Sequence, residues 1–115
     1  MKQNMEACSI SVAVAQILAY AKSQGWPDPV FEHEFHPKRK WRWDVAFIEA
    51  KVAVEIHGGT WEQGRHTRGG GFEEDRCKVN EGTAAGWRVF EVTYRQIAKG
   101  LLYTWLNRAM SKEAA

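Results

Sequence analysis

Apolar and polar residues alternate through residues 41–57, WRWDVAFIEAKVAVEIH. One run sets Trp41, Trp43, Val45 and Phe47 against Arg42, Asp44, Ala46 and Ile48. After Glu49-Ala50, a second sets Val52, Val54 and Ile56 against Lys51, Ala53, Glu55 and His57. Period-two alternation of this length predicts half-buried strands. A chain reversal at Glu49-Ala50 makes them an antiparallel pair, with 48 opposite 51, 46 opposite 53 and 44 opposite 55. Opposed residues share a face, so Trp43, Val45 and Phe47 are expected beside Ile56, Val54 and Val52 on an apolar side. Arg42, Asp44, Glu55 and His57 then occupy the other side, with the small Ala46 and Ala53 beneath them.

The flanking segments carry other periods. Residues 6–23 place Ile10, Val14, Ile17, Leu18 and Ala21 on one helical stripe, with Asn4 as a cap and Gly25 and Pro27 at the end. Residues 30–35, VFEHEF, read as a short strand punctuated by Pro29 and Pro37, with Glu32 and Glu34 on one face and His33 on the other. Residues 58–71, GGTWEQGRHTRGGG, are too glycine-rich for an ordered element and are expected to form a mobile basic loop that closes over a ligand. A second helix is expected over 72–85, with Glu73, Glu74 and Asp75 at the positive end of its dipole and Gly86 as its stop. Residues 87–92, WRVFEV, are apolar on both faces, as an interior strand would be. Thr93 to Gln96 fit a capping box, opening a last helix with Ile97, Leu101, Trp105 and Ala109 on one stripe and Leu102 and Leu106 beside it. The order is α-β-β-β-α-β-α, a three-layer α/β domain built on a mixed four-stranded sheet.

Length and composition narrow the class. At 115 residues, 44% hydrophobic and 26% charged, the chain suits one soluble globular domain spanning residues 1–115. It has no apolar run of membrane-spanning length and no signal-peptide pattern, which points to the cytoplasm. Cys8 and Cys77 lack any zinc-site or disulfide spacing and are expected to be reduced and buried. The net charge of +2 is small, but the cations are clustered. Lys38, Arg39, Lys40 and Arg42 interleave with Trp41 and Trp43, and Arg65 and Arg68 flank His66. Such clusters suit a polyanion such as nucleic acid. His36 adjoins the first cluster and could touch phosphate.

Candidate chemistry starts from the hairpin. Two carboxylates opposed across a sheet repel one another unless a cation lies between them. Hard divalent ions are bound by one or two carboxylates together with substrate phosphates, which makes Asp44 and Glu55 candidate metal ligands. The plainer alternative is a surface ion-pair ladder with Glu55 held by Arg42 or Lys51. Glu32 or Glu34 could also reach the site. Asp75 and Lys78, at i and i+3, either pair with each other or leave Lys78 to supply a cation to the site.

The element order, the Asp on the second strand and the Glu-x-His on the third resemble the PD-(D/E)XK nuclease superfamily, in particular its small phage-type endonucleases. The resemblance runs through HPKRKWRWD, VEIHGGTW, GRHTRGGGFEED and GWRVFEVT. It implies a restriction-endonuclease-like fold and a divalent-metal-dependent DNA endonuclease using Mg²⁺ or Mn²⁺. Asp44 matches the first metal-binding acid and Glu55 the acid of the half-motif, while the motif lysine is replaced by His57. In that superfamily the lysine can move to the following helix, where Lys78 stands. The H-G-x-x-W pattern from His57 to Trp61 is similar to very-short-patch-repair endonucleases. That similarity implies catalytic roles for His57 and His66 and a metal contact for the Ile56 carbonyl. Arg42, Arg65, Arg68 and Lys78 would hold phosphates, with Lys38, Arg39 and Lys40 adding to the DNA-binding surface. A non-catalytic nucleic-acid-binding module on the same fold is the alternative. An HNH-type nuclease is a poorer match, since no paired Cys-x-x-Cys or histidine-bearing helix is visible. The DNA structure recognised is open among duplex, flap, mismatch and junction; double-strand cutting or junction resolution would require two sites, as in a homodimer.

Overall fold

The computed structural model describes residues 10–58 and 69–111. In chain order these form α1 (Ile10–Gln24), β1 (Val30–Glu34), β2 (Arg42–Phe47), β3 (Val52–His57), α2 (Gly69–Ala84), β4 (Arg88–Thr93), α3 (Tyr94–Ala98) and α4 (Leu101–Met110). The fold is α/β, with a mixed four-stranded sheet in the order β1-β2-β3-β4 and flanking helices. β1, β2 and β3 are antiparallel neighbours, whereas β4 runs parallel to β3. A parallel neighbour needs a crossover, and α2 lies within it. Among the described residues, no helix is long and apolar enough to cross a membrane.

The hairpin has the register its pattern implies: Val45 opposes Val54, Ala46 opposes Ala53 and Phe47 opposes Val52. Its turn is closed by the Lys51 amide donating to the Ile48 carbonyl at 3.1 Å, with Lys51 in the left-handed region at φ 55°. The main core lies on one side of the sheet, where Val45, Phe47, Val52, Val54 and Val92 meet Ala13, Ile17 and Ala21 of α1 and Leu102 and Leu106 of α4. A smaller cluster of Trp43, Ala46, Ala53 and Trp87 lies apart, with Phe35 and Val89 packed against it.

Trp43 is therefore not beside Val45 and Phe47, as uniform alternation predicts. The cause lies in β1. Phe31 opposes Val45 and His33 opposes Trp43, so Glu32 lies level with Asp44, and Glu32 has φ 55°. A left-handed residue breaks the regular pleat. Phe31 before it packs with the main core, Phe35 after it packs with Trp43, and β2 changes face at the same level. Trp43 is fully buried, stacked on Phe35 with ring centroids 3.9 Å apart.

Other expectations are corrected. Helix α1 buries Ala13, Ile17 and Ala21, while Ile10 is left exposed; the small residues allow the closest approach to the sheet. β4 is an edge strand and not an interior one, so the apolar residues on its two faces reflect helices on both sides. The last helix is two, because Gly100 adopts φ 84° and ends the run begun by the Thr93–Gln96 capping box. This break rotates α4 to bury Leu102, Leu106 and Ala109 and leaves Leu101 exposed. α2 begins at Gly69, inside the segment expected to be loop, since glycine is costly in a helix but sterically free to enter one. Glu73, Glu74 and Asp75 consequently lie beyond its first turn and lose the dipole role expected of them. Cys77 is exposed on α2, not buried.

Among the described residues, α2 contributes no side chain to either apolar cluster. Its backbone rests on the Trp43 ring at Gly82, where an added Cβ would lie 2.3 Å from Cζ2. Polar contacts hold the rest. Glu74 accepts from Arg39 and from the Trp41 indole, the latter at 2.9 Å. Glu81 lies 3.3 Å from His36 Nε2, and Lys51 Nζ donates to the Ala85 carbonyl at 2.8 Å.

Candidate functional site

The β2–β3 ladder is recorded from Phe47–Val52 to Val45–Val54, and beyond it side chains take over the pairing. The Ile56 amide donates to Asp44 Oδ2 at 2.7 Å, and the Asp44 amide donates to Glu55 Oε2 at 3.1 Å. Each carboxylate thus turns between the strands and satisfies a backbone N–H of the other. This brings the two acids together at the level where Glu32 disturbs the pleat. Lys78 reaches down from α2 and places Nζ 2.8 Å from Glu55 Oε1. The pair is sheltered, with the Lys78 side chain 16% exposed and that of Glu55 13%. Lys78 also stands 5.4 Å above the Trp43 ring, whose face favours a cation.

Burial pushes both carboxyl groups above their ordinary range. For Asp44, desolvation outweighs the Ile56 N–H and the Lys78 charge, which favour the ionised form, and Glu32 adds to the rise. For Glu55, desolvation again exceeds the hydrogen bond and charge of Lys78, and Asp44 adds its repulsion. Two acids that resist ionisation beside a single ammonium form a site with unused affinity for positive charge.

Ion pairing with Arg42 or Lys51 does not hold Glu55, and Lys78 does not pair with Asp75. Arg42 instead lies between Glu32 and Glu34, at 3.7 and 3.5 Å. Lys51 turns to α2 as described. Ile56 reaches the site with its amide, which donates to Asp44.

His57 is close enough for its charge to favour Asp44 ionisation, but its hydrogen-bond partner is Glu91, with Nε2 3.0 Å from Oε1. Glu91 is also 3.5 Å from Arg76 Nη2. Glu91 and Arg76 were not singled out in the sequence. In the parallel register Glu91 is the β4 neighbour of Glu55, as Thr93 is of His57. A lone acid within Val89, Phe90 and Val92 was the only signal for it.

The basic cluster divides. Arg39 is tied to Glu74 and lies over the Trp41 ring at 4.3 Å, whereas Lys38 and Lys40 are exposed on the loop. His36 is structural: its Nδ1 accepts from the Lys38 and Arg39 amides at 3.1 and 3.0 Å, which leaves the proton on Nε2, facing Glu81. Arg65, His66 and Arg68, with Trp61 and most of the glycine-rich loop, lie outside the described residues, as do Asn4 and Cys8.

Among the described residues, no group of three or more His, Cys, Asp or Glu side chains could hold a metal ion. Two carboxylates suffice for a hard divalent ion when water and phosphate oxygens complete the shell. Asp44 Oδ1 takes no hydrogen bond among the described residues, so one oxygen of the pair is available. No protein family, curated protein or solved structure matches this chain.

Proposed function

We propose that this chain is a divalent-metal-dependent DNA endonuclease that hydrolyses phosphodiester bonds. The observation that carries the reading is the half-buried Asp44–Glu55 pair, joined through backbone amides and served by Lys78 at 2.8 Å. Asp44 and Glu55 would hold Mg²⁺ or Mn²⁺. Such an ion, when bound, neutralises charge on the scissile phosphate and acidifies a coordinated water. Lys78 fixes the Glu55 carboxylate and presents an ammonium to the phosphate, filling from α2 the place that His57 leaves without a lysine on β3. His57, steadied by Glu91, is placed to take or relay a proton. Exposed Lys38 and Lys40 would contact the DNA backbone with the cations of the 58–71 segment. The cytoplasm, phage-type DNA processing and a homodimer for double-strand cutting belong to the same reading.

Supercoiled plasmid incubated with the protein and Mg²⁺ or Mn²⁺ should be nicked or cut, and EDTA should abolish this. Asp44→Asn and Glu55→Gln should each lose cleavage. Full activity in either variant would refute the site. Binding without cleavage is the second reading, favoured by the engagement of His57 with Glu91 rather than with the carboxylate pair. Metal-independent DNA binding with no product under either ion would establish it.

A further inference from the structure

A cleft on the other side of the sheet carries features that the carboxylate site does not use. Arg88, Phe90, Trp105, Arg108 and Ala109 line it, around a volume of about 380 Å³ open to solvent. Arg88 shares a strand face with Phe90 and Val92, which pack with the main core, so the cleft lies on the α1 and α4 side and not under α2. Arg88 opposes Val52, whereas Glu91 opposes Glu55. The cleft is therefore displaced by about 10 Å along the strands as well as across the sheet.

Both arginines are exposed, and neither guanidinium takes an acceptor among the described residues. Arg39, Arg42 and Arg76, by contrast, each face a carboxylate. Two cations in one cleft repel each other, and no acid is among its described lining residues. An anion held by both would remove the repulsion, and guanidinium forks match phosphate oxygens. Trp105 is half-buried, seated partly on the core while also lining the cleft. Its ring offers a planar surface to another ring, and the volume is within the range of small-ligand sites.

We infer that this cleft binds an unpaired nucleotide, with the base on Trp105 and its phosphate between Arg88 and Arg108. A base within a duplex cannot reach a recessed indole, so single strands are preferred over double. A free nucleotide and a nucleotide within a strand present the same chemistry here. The inference does not depend on Asp44 and Glu55, and its test contains no metal.

Fluorescence anisotropy of a labelled oligothymidine in EDTA should report binding that weakens at least about tenfold in the R88Q/R108Q double variant. The magnitude of the slope of log K against log salt should fall by about 0.7, the loss of one neutralised phosphate on a single strand. Both side chains are exposed, so the circular dichroism spectrum should be unchanged. The indole N–H resonance of Trp105, assigned with Trp105→Phe, should shift on adding the oligonucleotide and should not shift with inorganic phosphate. Competition by AMP would show that a free nucleotide suffices; its failure with the oligonucleotide still bound would assign the strand. Unchanged affinity in R88Q/R108Q, an unmoved Trp105 signal, or equal arginine-dependent binding of duplex DNA would overturn the inference.

Discussion

Replacing Lys78 with methionine keeps most of the side-chain volume over Trp43 and removes the ammonium that lies 2.8 Å from Glu55 Oε1. Glu55 is then a largely sheltered carboxylate with Asp44 beside it and no cation. Breaking a buried ion pair from one side costs about 3–5 kcal/mol when the orphaned charge must remain. Glu55 has an escape, because it can bind a proton. An ordinary glutamate ionises near 4.5, so holding its proton at pH 7 costs about 3.4 kcal/mol, at about 1.36 kcal/mol per pH unit. That value caps the electrostatic loss at pH 7, and the same arithmetic caps it at about 0.7 kcal/mol at pH 5. The sign follows from proton uptake. Burial already raises the folded-state pKa of Glu55, and losing Lys78 raises it further. Between the unfolded value and the raised one the folded state holds more protons, so stability falls as pH climbs through that window. Below the window the penalty disappears. Urea denaturation of the wild type and Lys78→Met should therefore differ by about 2–3 kcal/mol at pH 7 and by under about 1 kcal/mol at pH 5. Adding Glu55→Gln should recover most of the loss at pH 7, since the uncompensated charge is gone. An equal loss at both pH values, with no recovery in the double variant, would mean that Lys78 acts by packing and that the charge argument is wrong.

Asp44→Asn keeps an oxygen for the Ile56 amide and removes the charge facing Glu55, so thermal melting should show stability unchanged or raised by about 0.5–2 kcal/mol while cleavage is lost. A strongly destabilised Asp44→Asn would contradict the repulsion described between the two acids. Gly82→Ala gains helix propensity of about 1 kcal/mol, but its Cβ would lie 2.3 Å from a Trp43 ring clamped by Phe35. The expected net result is a loss of about 1–3 kcal/mol in urea denaturation, and a gain would show that α2 does not rest on the ring. Mg²⁺ in excess should raise the melting temperature of the wild type and not that of Asp44→Asn, as mass action requires of an ion bound to the folded state.

The hairpin was legible because its register depends on two local features, alternation and a short turn. The Thr93–Gln96 capping box was legible for the same reason. Trp43 was misplaced because alternation assumes an unbroken pleat, and the residue that breaks it, Glu32, lies on another strand. Glu91 was missed because a parallel register is decided by how the crossover docks, and α2 docks without an apolar stripe to read. The same absence hid the partner of Lys78: spacing along the helix offered Asp75, while the distance across the sheet favours Glu55. The division of the last helix needed only Gly100, but its stripe of apolar residues continues in sequence and concealed the rotation.

The two sides of the sheet are joined by different forces, and this sets an order of release. Separating α1 and α4 would expose Ile17, Leu102, Leu106 and the valines of the sheet together, a cost shared by the whole core. Lifting α2 would uncover the smaller cluster around the Trp43 ring and exchange its ion pairs for water, leaving the main core closed. The lowest-energy opening of the molecule is therefore the departure of α2, carrying Lys78 away from Glu55 while the hairpin keeps its register. Amide hydrogen exchange should record this as a cooperative unit, with the amides of 75–84 exchanging well before those of Val45, Val52 and Val54, and faster at high salt. A bulky anionic ligand could gain access to the carboxylates by the same hinge, without disturbing the main core.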